Sequence, residues 1–244
     1  MVILPRPSTI ARACAVLTFA LFASPIQAGD AVAVTPPASA PATVIGADQA
    51  MKQAATDGKY ALLCLWQGDT AETQAFRKGF AEAAAKEAKR VVPIEVQADA
   101  PANAEVIRRL QLDRAPKPLA LAIAPKGAVT RGYPQLPVDG FASAFVGPSL
   151  ASCVKATQEG KLAVVSFPNA KTRDGEATLA VAKAFVAQDS VKDMASLVTV
   201  DPAAPADADL CTALKIASDT DVAVVALLDP PGRMLGTFRV PVDQ

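Results

Sequence analysis

Cysteine is the residue type in this sequence with the widest chemical range. It occurs four times, as Cys14, Cys64, Cys153 and Cys211. A thiol attacks disulfides or binds metal ions only where it is accessible and its pKa is lowered. Cys64 lies between Leu63 and Leu65 in an apolar run, so we expect it to be a buried and inert thiol.

Histidine is absent from the whole sequence, which excludes serine-histidine catalysis, cysteine-histidine pairs and imidazole metal sites. Asp69 and Glu72 form a carboxylate pair, but no base, nucleophile or metal ligand accompanies them. We therefore predict no catalytic residue, no metal site and no bound cofactor, and the protein is not expected to be an enzyme.

Residues 1–28 have the pattern of a secretory signal peptide. Arg6 and Arg12 accompany an apolar stretch over 13–23, and the small residue Ala28 suits cleavage. This stretch is shorter than the roughly 20 residues that span a bilayer, and no later apolar run approaches that length. We expect a periplasmic or secreted chain, cut near Ala28, with no stable membrane span.

The mature chain is nearly neutral, because the leader removes two of the 24 basic residues and none of the 24 acidic ones. This balance offers no electrostatic basis for binding nucleic acid or an anionic membrane. Residues 29–45 are rich in proline and alanine, so we interpret them as a flexible linker. The three cysteines that remain allow at most one internal disulfide.

The rest of the chain reads as one unit repeated twice, over 46–146 and 147–244. Gly58-Lys59 recurs as Gly160-Lys161, and Tyr133 recurs as Phe238. The matched segments keep their order, and their separation grows only slightly along the chain, as small loop insertions in a duplicated domain would produce.

Each unit has the predicted order α-β-α-β-α-β-β. In the first unit the elements are a helix over 46–57, a strand over 60–66, a helix over about 70–90, a strand over 91–98, a helix over 102–112, a strand over 118–124, a turn at Lys126-Gly127 and a strand to Tyr133. Asp69 is placed to cap the second helix. A closing helix is predicted around 141–145, whereas the second unit, from Pro148 to Phe238, lacks one.

Two stretches of the first unit resemble the thioredoxin family. The letters ALLCLWQGDTAETQAF, from Ala61, resemble the strand, tryptophan and redox helix, and Lys117-Pro118-Leu119-Ala120-Leu121 resembles the loop with the cis-proline. The resemblance implies an α/β protein with two tandem thioredoxin-like domains, each a central mixed β-sheet flanked by helices. It also implies a peptide-binding groove in the first domain, formed by Trp66, Asp69, Thr70, Thr73 and Pro118. Two of these residues have simpler interpretations, because Trp66 also fits plain core packing and Pro118 an ordinary proline at the start of a strand.

Both units depart from the family at its redox motif, Cys-x-x-Cys. The matching positions are Thr70–Thr73 or, aligned on the tryptophan, Gln67–Thr70, and they contain no sulfur. In the second unit the segment Asn169–Asp174 also lacks cysteine, and Asp221-Val222 stands near the place of the loop proline. Because a threonine hydroxyl gains no nucleophilicity from a helix N-terminus, we predict a redox-inactive protein.

Cys153 and Cys211 match Met51 and Ile107 of the first unit, which are core-like positions. The simplest interpretation is core filling. In a thioredoxin-like fold their helices pack on the same face of the sheet, so a structural disulfide between Cys153 and Cys211 stays open.

Three functions remain at the level of the sequence. The leading hypothesis is an exported, redox-inactive adaptor or chaperone-like module that binds a protein or an extended peptide. The second is a thiol-disulfide protein that uses a single cysteine, Cys64 or Cys211. The third is a structural subunit of an envelope complex, in which the second unit's missing helix leaves an apolar sheet face to be covered by a partner or by the first unit.

Overall fold

The computed structural model describes residues 46–168, 174–230 and 232–240. The predicted signal peptide over 1–28 and the linker over 29–45 lie outside the described residues. So does most of the segment Asn169–Asp174.

The first sheet has four strands in the order β2-β1-β3-β4, with β2 parallel to β1 and the other pairs antiparallel. Its elements are α1 (Ala47–Thr56), β1 (Tyr60–Trp66), α2 (Ala71–Lys86), β2 (Val91–Gln97), α3 (Ala104–Arg109), β3 (Leu119–Ile123) and β4 (Val129–Tyr133). A 3-10 turn, Pro101–Asn103, precedes α3.

The second sheet repeats this arrangement in the order β6-β5-β7-β8. Its elements are α4 (Pro148–Gln158), β5 (Leu162–Phe167), α5 (Gly175–Val186), β6 (Ala195–Thr199), α6 (Ala208–Leu214), β7 (Ala223–Asp229) and β8 (Arg233–Val240). The strand order, the strand directions and the flanking helices are those of two tandem thioredoxin-like domains, so the predicted fold is confirmed.

Strand β1 is central because its side chains are apolar on both faces. Leu62 and Cys64 point into a core that α2 closes with Phe80. Leu63 and Leu65 point into the opposite core, which α1 and α3 close. The carboxyl end of this buried strand leads into the candidate site.

The prediction of a closing helix around 141–145 is wrong. The structure has a single 3-10 turn, Ala142–Ala144, preceded by the fully buried Phe141. The segment is too short for a helix, because Gly147 takes an extended conformation before Pro148, which opens α4.

Helix α4 belongs to both cores. Ala151 is buried in the first domain's core and Val154 packs against it, whereas Cys153 and Ala156 are buried in the second domain's core. The boundary between 146 and 147 stays a prediction, since α4 packs on both sides of it. Within the described residues, no helix is both long and apolar enough to span a bilayer.

Candidate functional site

The carboxyl end of β1 brings together most of the residues predicted to form the first-domain groove. The last residue pair between β1 and β3 is Leu65 with Leu119, and the next residue on each chain is Trp66 and Pro118. The peptide bond between Lys117 and Pro118 is cis. After Trp66 the chain turns at Gly68, whose φ of 68° is the left-handed conformation that glycine favours, and enters α2.

The N-cap of α2 is Thr70, and the prediction that Asp69 caps this helix is wrong. Thr70 has an extended backbone, and its hydroxyl accepts a hydrogen bond from the Thr73 amide at 3.1 Å. The same hydroxyl donates to the hydroxyl of the buried Thr73 at 3.1 Å. Asp69 instead accepts a hydrogen bond from the Gln74 side-chain amide at 3.1 Å.

This cap decides what the helix start can do chemically. In the family it resembles, this position presents an ionisable thiol to the positive end of the helix. Here the free amide of Thr73 is satisfied by an alcohol that carries no charge. Among the described residues, the start of α2 therefore presents no ionisable sulfur to the positive end of the helix.

Trp66 is half buried and is flanked by charge. The Arg77 guanidinium lies 4.3 Å from the centre of its ring, a cation–π contact, and Arg77 also forms an ion pair with Glu95 on β2. The indole nitrogen of Trp66 is buried without a hydrogen-bond partner. The Arg77 guanidinium thus packs against the ring and links it to the Glu95 carboxylate on β2.

The three cysteines of the described residues are all buried and free. Burial raises the pKa of the Cys64 thiol to about 12, and the nearby Glu95 carboxylate adds to the effect. Burial likewise raises the pKa of Cys153 to about 12, with a further contribution from Asp207. The pKa of Cys211 is also raised, mainly by burial. These environments favour the neutral thiol, which is a poor nucleophile.

The disulfide left open between Cys153 and Cys211 is not formed in the structure. Both side chains lie in the same core, on α4 and α6, packed among aliphatic residues. They contribute there as small apolar side chains.

The matching end of the second domain differs at the place of the loop proline. Asp221 and Val222 precede β7 there, and the one cis peptide bond within the described residues is that of Pro118. The described residues also contain no group of three or more acidic or cysteine side chains that could hold a metal ion.

An apolar groove on the second domain is a further feature. It lies between α5 and the strands β5, β7 and β8, and its volume is about 340 Å³. Sequence reasoning anticipated an uncovered sheet face but named none of its residues. The sequence pattern that could have identified them is the apolar face of α5, where Val181 and Phe185 lie four residues apart, about one helical turn.

Comparisons with known proteins found no matching family model and no matching curated protein. The first two thioredoxin domains of Saccharomyces cerevisiae Eps1p align over 86% of this chain and 94% of that chain, at 12% identity and a TM-score of 0.32. Human ERp44 aligns over 80% of this chain and 50% of its own, at 14% identity and a TM-score of 0.34. A domain of alkylhydroperoxide reductase AhpF from Enterococcus faecalis aligns over 76% of this chain and 91% of that chain, at 14% identity and a TM-score of 0.26.

Proposed function

We propose that this chain is an exported, redox-inactive thioredoxin-like protein that binds a protein or an extended peptide at the Trp66–Pro118 end of its first domain. One observation carries the proposal. The scaffold positions of the family's site are kept, with Trp66 and Pro118 next to the last residue pair of β1 and β3 and Thr70 at the start of α2, while every described thiol is buried in a core. The signal-peptide pattern of residues 1–28 supports export.

The single-thiol alternative fits the structure poorly. Such a protein needs an accessible cysteine with a lowered pKa. Cys64 and Cys211 are 0% and 4% exposed, and burial raises the pKa of each. A partner that binds to the surface of the first domain does not reach either sulfur.

The redox part of the proposal is tested by insulin reduction and by thiol labelling of the native chain. We expect no turnover above background and no labelling until urea unfolds the protein. A robust turnover that disappears in a Cys64→Ala or Cys211→Ala variant would show that the protein is a thiol enzyme.

The binding part is tested by co-purification from the native host with matched charge reversals. Asp69 is exposed at the start of α2, and Asp57 is exposed at the opposite end of β1. We expect the Asp69→Lys variant to lose a partner that both the unaltered protein and the Asp57→Lys variant retain. Equal recovery with all three proteins would place the binding surface elsewhere.

The third hypothesis, a structural subunit of an envelope complex, is favoured by a separate observation, the uncovered groove on the second domain. A complex that survives Asp69→Lys but is lost when a charge enters the groove would identify the protein as such a subunit.

A further inference from the structure

The groove beside α5 leaves large apolar side chains in water. We call it the α5 groove, and its main lining residues are Val164, Val181, Phe185, Val225, Leu227 and Phe238. Val181 is 69% exposed, Phe238 is 55% exposed and Phe185 is 38% exposed. Exposed apolar side chains that cluster in one concave surface are typical of a binding site.

The first domain shows what covers the same face of the same fold. Its covering segment, residues 140–146, lays Phe141 between α2 and β4, where this ring is fully buried. The ring makes edge-to-face contacts with Phe80, at 5.8 Å between ring centres, and with Tyr133, at 5.4 Å. The Tyr60 hydroxyl accepts from the Val146 amide at 3.0 Å and donates to the Val146 carbonyl at 2.8 Å.

The strand registers show that the two faces are equivalent. Cys64 pairs with Ala120, which pairs with Tyr133. In the second domain Ser166 pairs with Val225, which pairs with Phe238. Phe238 therefore holds the place of Tyr133, the residue that contacts Phe141.

The described residues contain no counterpart of Phe141 over β7 and β8. Helix α5 also packs on its sheet through the small side chains Thr178 and Ala182, where α2 uses the ring of Phe80. The α5 groove is thus the space that two phenyl rings fill in the first domain. Beyond β8, Pro241-Val242-Asp243 repeats Pro137-Val138-Asp139, the residues that lead into the covering segment.

An unpartnered polar atom lies in the groove. Thr178 lines it and is only 6% exposed, yet its hydroxyl has no hydrogen-bond partner. A buried hydroxyl without a partner is costly. A polypeptide backbone that displaces the side chains around this oxygen can satisfy it, as the Val146 backbone satisfies the hydroxyl of Tyr60 in the first domain.

The absence of charge in the groove lining indicates which kind of polypeptide could occupy the groove. The groove lining holds no ionisable side chain, and neither does the covering segment of residues 140–146. One way for a second copy to cover this face, antiparallel self-pairing of the edge strand β8 about Gly236, would set Arg233 opposite Arg239. Like charges directly opposite each other destabilise a strand pair.

We propose that the α5 groove binds a segment of a partner polypeptide that carries an uncharged, phenylalanine-anchored turn of the kind that covers the first domain. The phenyl ring lies between α5 and Phe238, and a backbone amide or carbonyl meets the Thr178 hydroxyl. This inference is independent of the first-domain site.

The test uses a labelled synthetic peptide with the sequence of residues 134–146, PQLPVDGFASAFV, and the whole mature chain. We expect saturable binding by fluorescence anisotropy and a loss of binding for a peptide in which both phenylalanines are alanine. The Val181→Asp variant should weaken binding roughly tenfold or more, because it buries a charge against the ring. The matched Ala180→Asp variant changes an exposed α5 residue outside the groove lining and should bind normally.

A reporter inside the groove gives a second measurement that does not depend on the Val181→Asp variant folding. In a Trp66→Phe background, the fluorescence of a Phe238→Trp variant should shift to shorter wavelength when the peptide binds. Binding should also be normal in Asp69→Lys, which separates this inference from the proposed function of the first domain.

Three results would overturn the inference. One is the absence of saturable binding together with an unchanged Phe238→Trp emission. Another is equal binding of the peptide with and without its phenylalanines. The last is a chain that sediments as a dimer and that Val181→Asp converts to monomers, because a second copy would then occupy the groove.

Discussion

At the scale of single residues, the described thiols lie inside the cores, and none stands at the position of the thioredoxin family's redox cysteines. Cys64 lies on the central strand at 0% exposure, and its pKa is raised by burial and by the Glu95 carboxylate. Cys153 lies on α4 in the other core, with its pKa raised by burial and by Asp207. The polar side chains at the start of α2 form hydrogen bonds within this segment, between Thr70 and Thr73 and between Gln74 and Asp69.

The buried thiols predict how stability depends on pH. In the unfolded chain a cysteine ionises near its ordinary pKa of 9.0, whereas native Cys64 and Cys153 keep their protons up to about 12. The unfolded chain therefore loses protons first, so the thiols' contribution to stability is complete below about pH 8 and is lost as the pH rises from 9 towards 12.

Urea unfolding measured between pH 7 and about 10.5 checks this dependence. A variant with both Cys64→Ala and Cys153→Ala should lose less free energy of unfolding over that range than the unaltered protein does. Parallel pH profiles for the two proteins would show that these thiols are accessible and ionise freely in the native state.

At the scale of elements, short contacts at helix starts and strand ends shape the candidate site. Helix α2 begins where Thr70 takes an extended conformation and caps it. On the same face of the sheet, the covering segment replaces a helix with one 3-10 turn and the ring of Phe141. A single well-packed aromatic residue thus substitutes for a helix in the first domain.

The cap of α2 can be tested by substitution. Thr70→Ala should lower the free energy of unfolding by about 1 kcal/mol, because the Thr73 amide loses its side-chain acceptor. Thr70→Ser keeps an acceptor of the same kind and should stay close to the unaltered protein. Chemical denaturation followed by circular dichroism measures both, and equal losses for alanine and serine would indicate that the threonine methyl group, not the hydroxyl, stabilises this position.

At the scale of the whole molecule, α4 joins the two domains. It contributes Ala151 and Val154 to the first domain's core and Cys153 and Ala156 to the second's. The side-chain amide of its last residue, Gln158, also binds the backbone of Val129 on β4. It donates to the Val129 carbonyl at 2.7 Å and accepts from the Val129 amide at 3.0 Å. Unfolding either core therefore removes packing from the helix that the other core needs.

This sharing predicts one cooperative unfolding transition for both domains. Trp66 is the single tryptophan of the sequence and reports on the first domain, while the labelling rate of Cys211, in a Cys64→Ala and Cys153→Ala background, reports on the second. The two midpoints in urea should coincide. Labelling of Cys211 at a urea concentration where Trp66 is still native would show that the domains unfold separately.

The amino-acid sequence by itself determined the features that depend on local pattern. The run Tyr60–Trp66 is shorter than a typical buried helix and more apolar than a loop, which predicts a buried strand. It forms β1 with the same bounds. The repeated order of such runs predicted two similar sheets, because apolar periodicity decides which face each element buries. The missing Cys-x-x-Cys motif is a fact of residue order and needs no coordinates.

Only the tertiary structure decided the features that depend on residues far apart in the chain. Asp69 and Thr70 are both good caps by type, and the backbone angles around them select Thr70. Whether Cys153 meets Cys211, and whether residues 141–145 form a helix, depends on how α4 enters the second domain. The α5 groove arises because, among the described residues, no aromatic ring like that of Phe141 lies between β8 and α5. Packing of this kind depends on the three-dimensional arrangement of elements, which sequence periodicity does not specify.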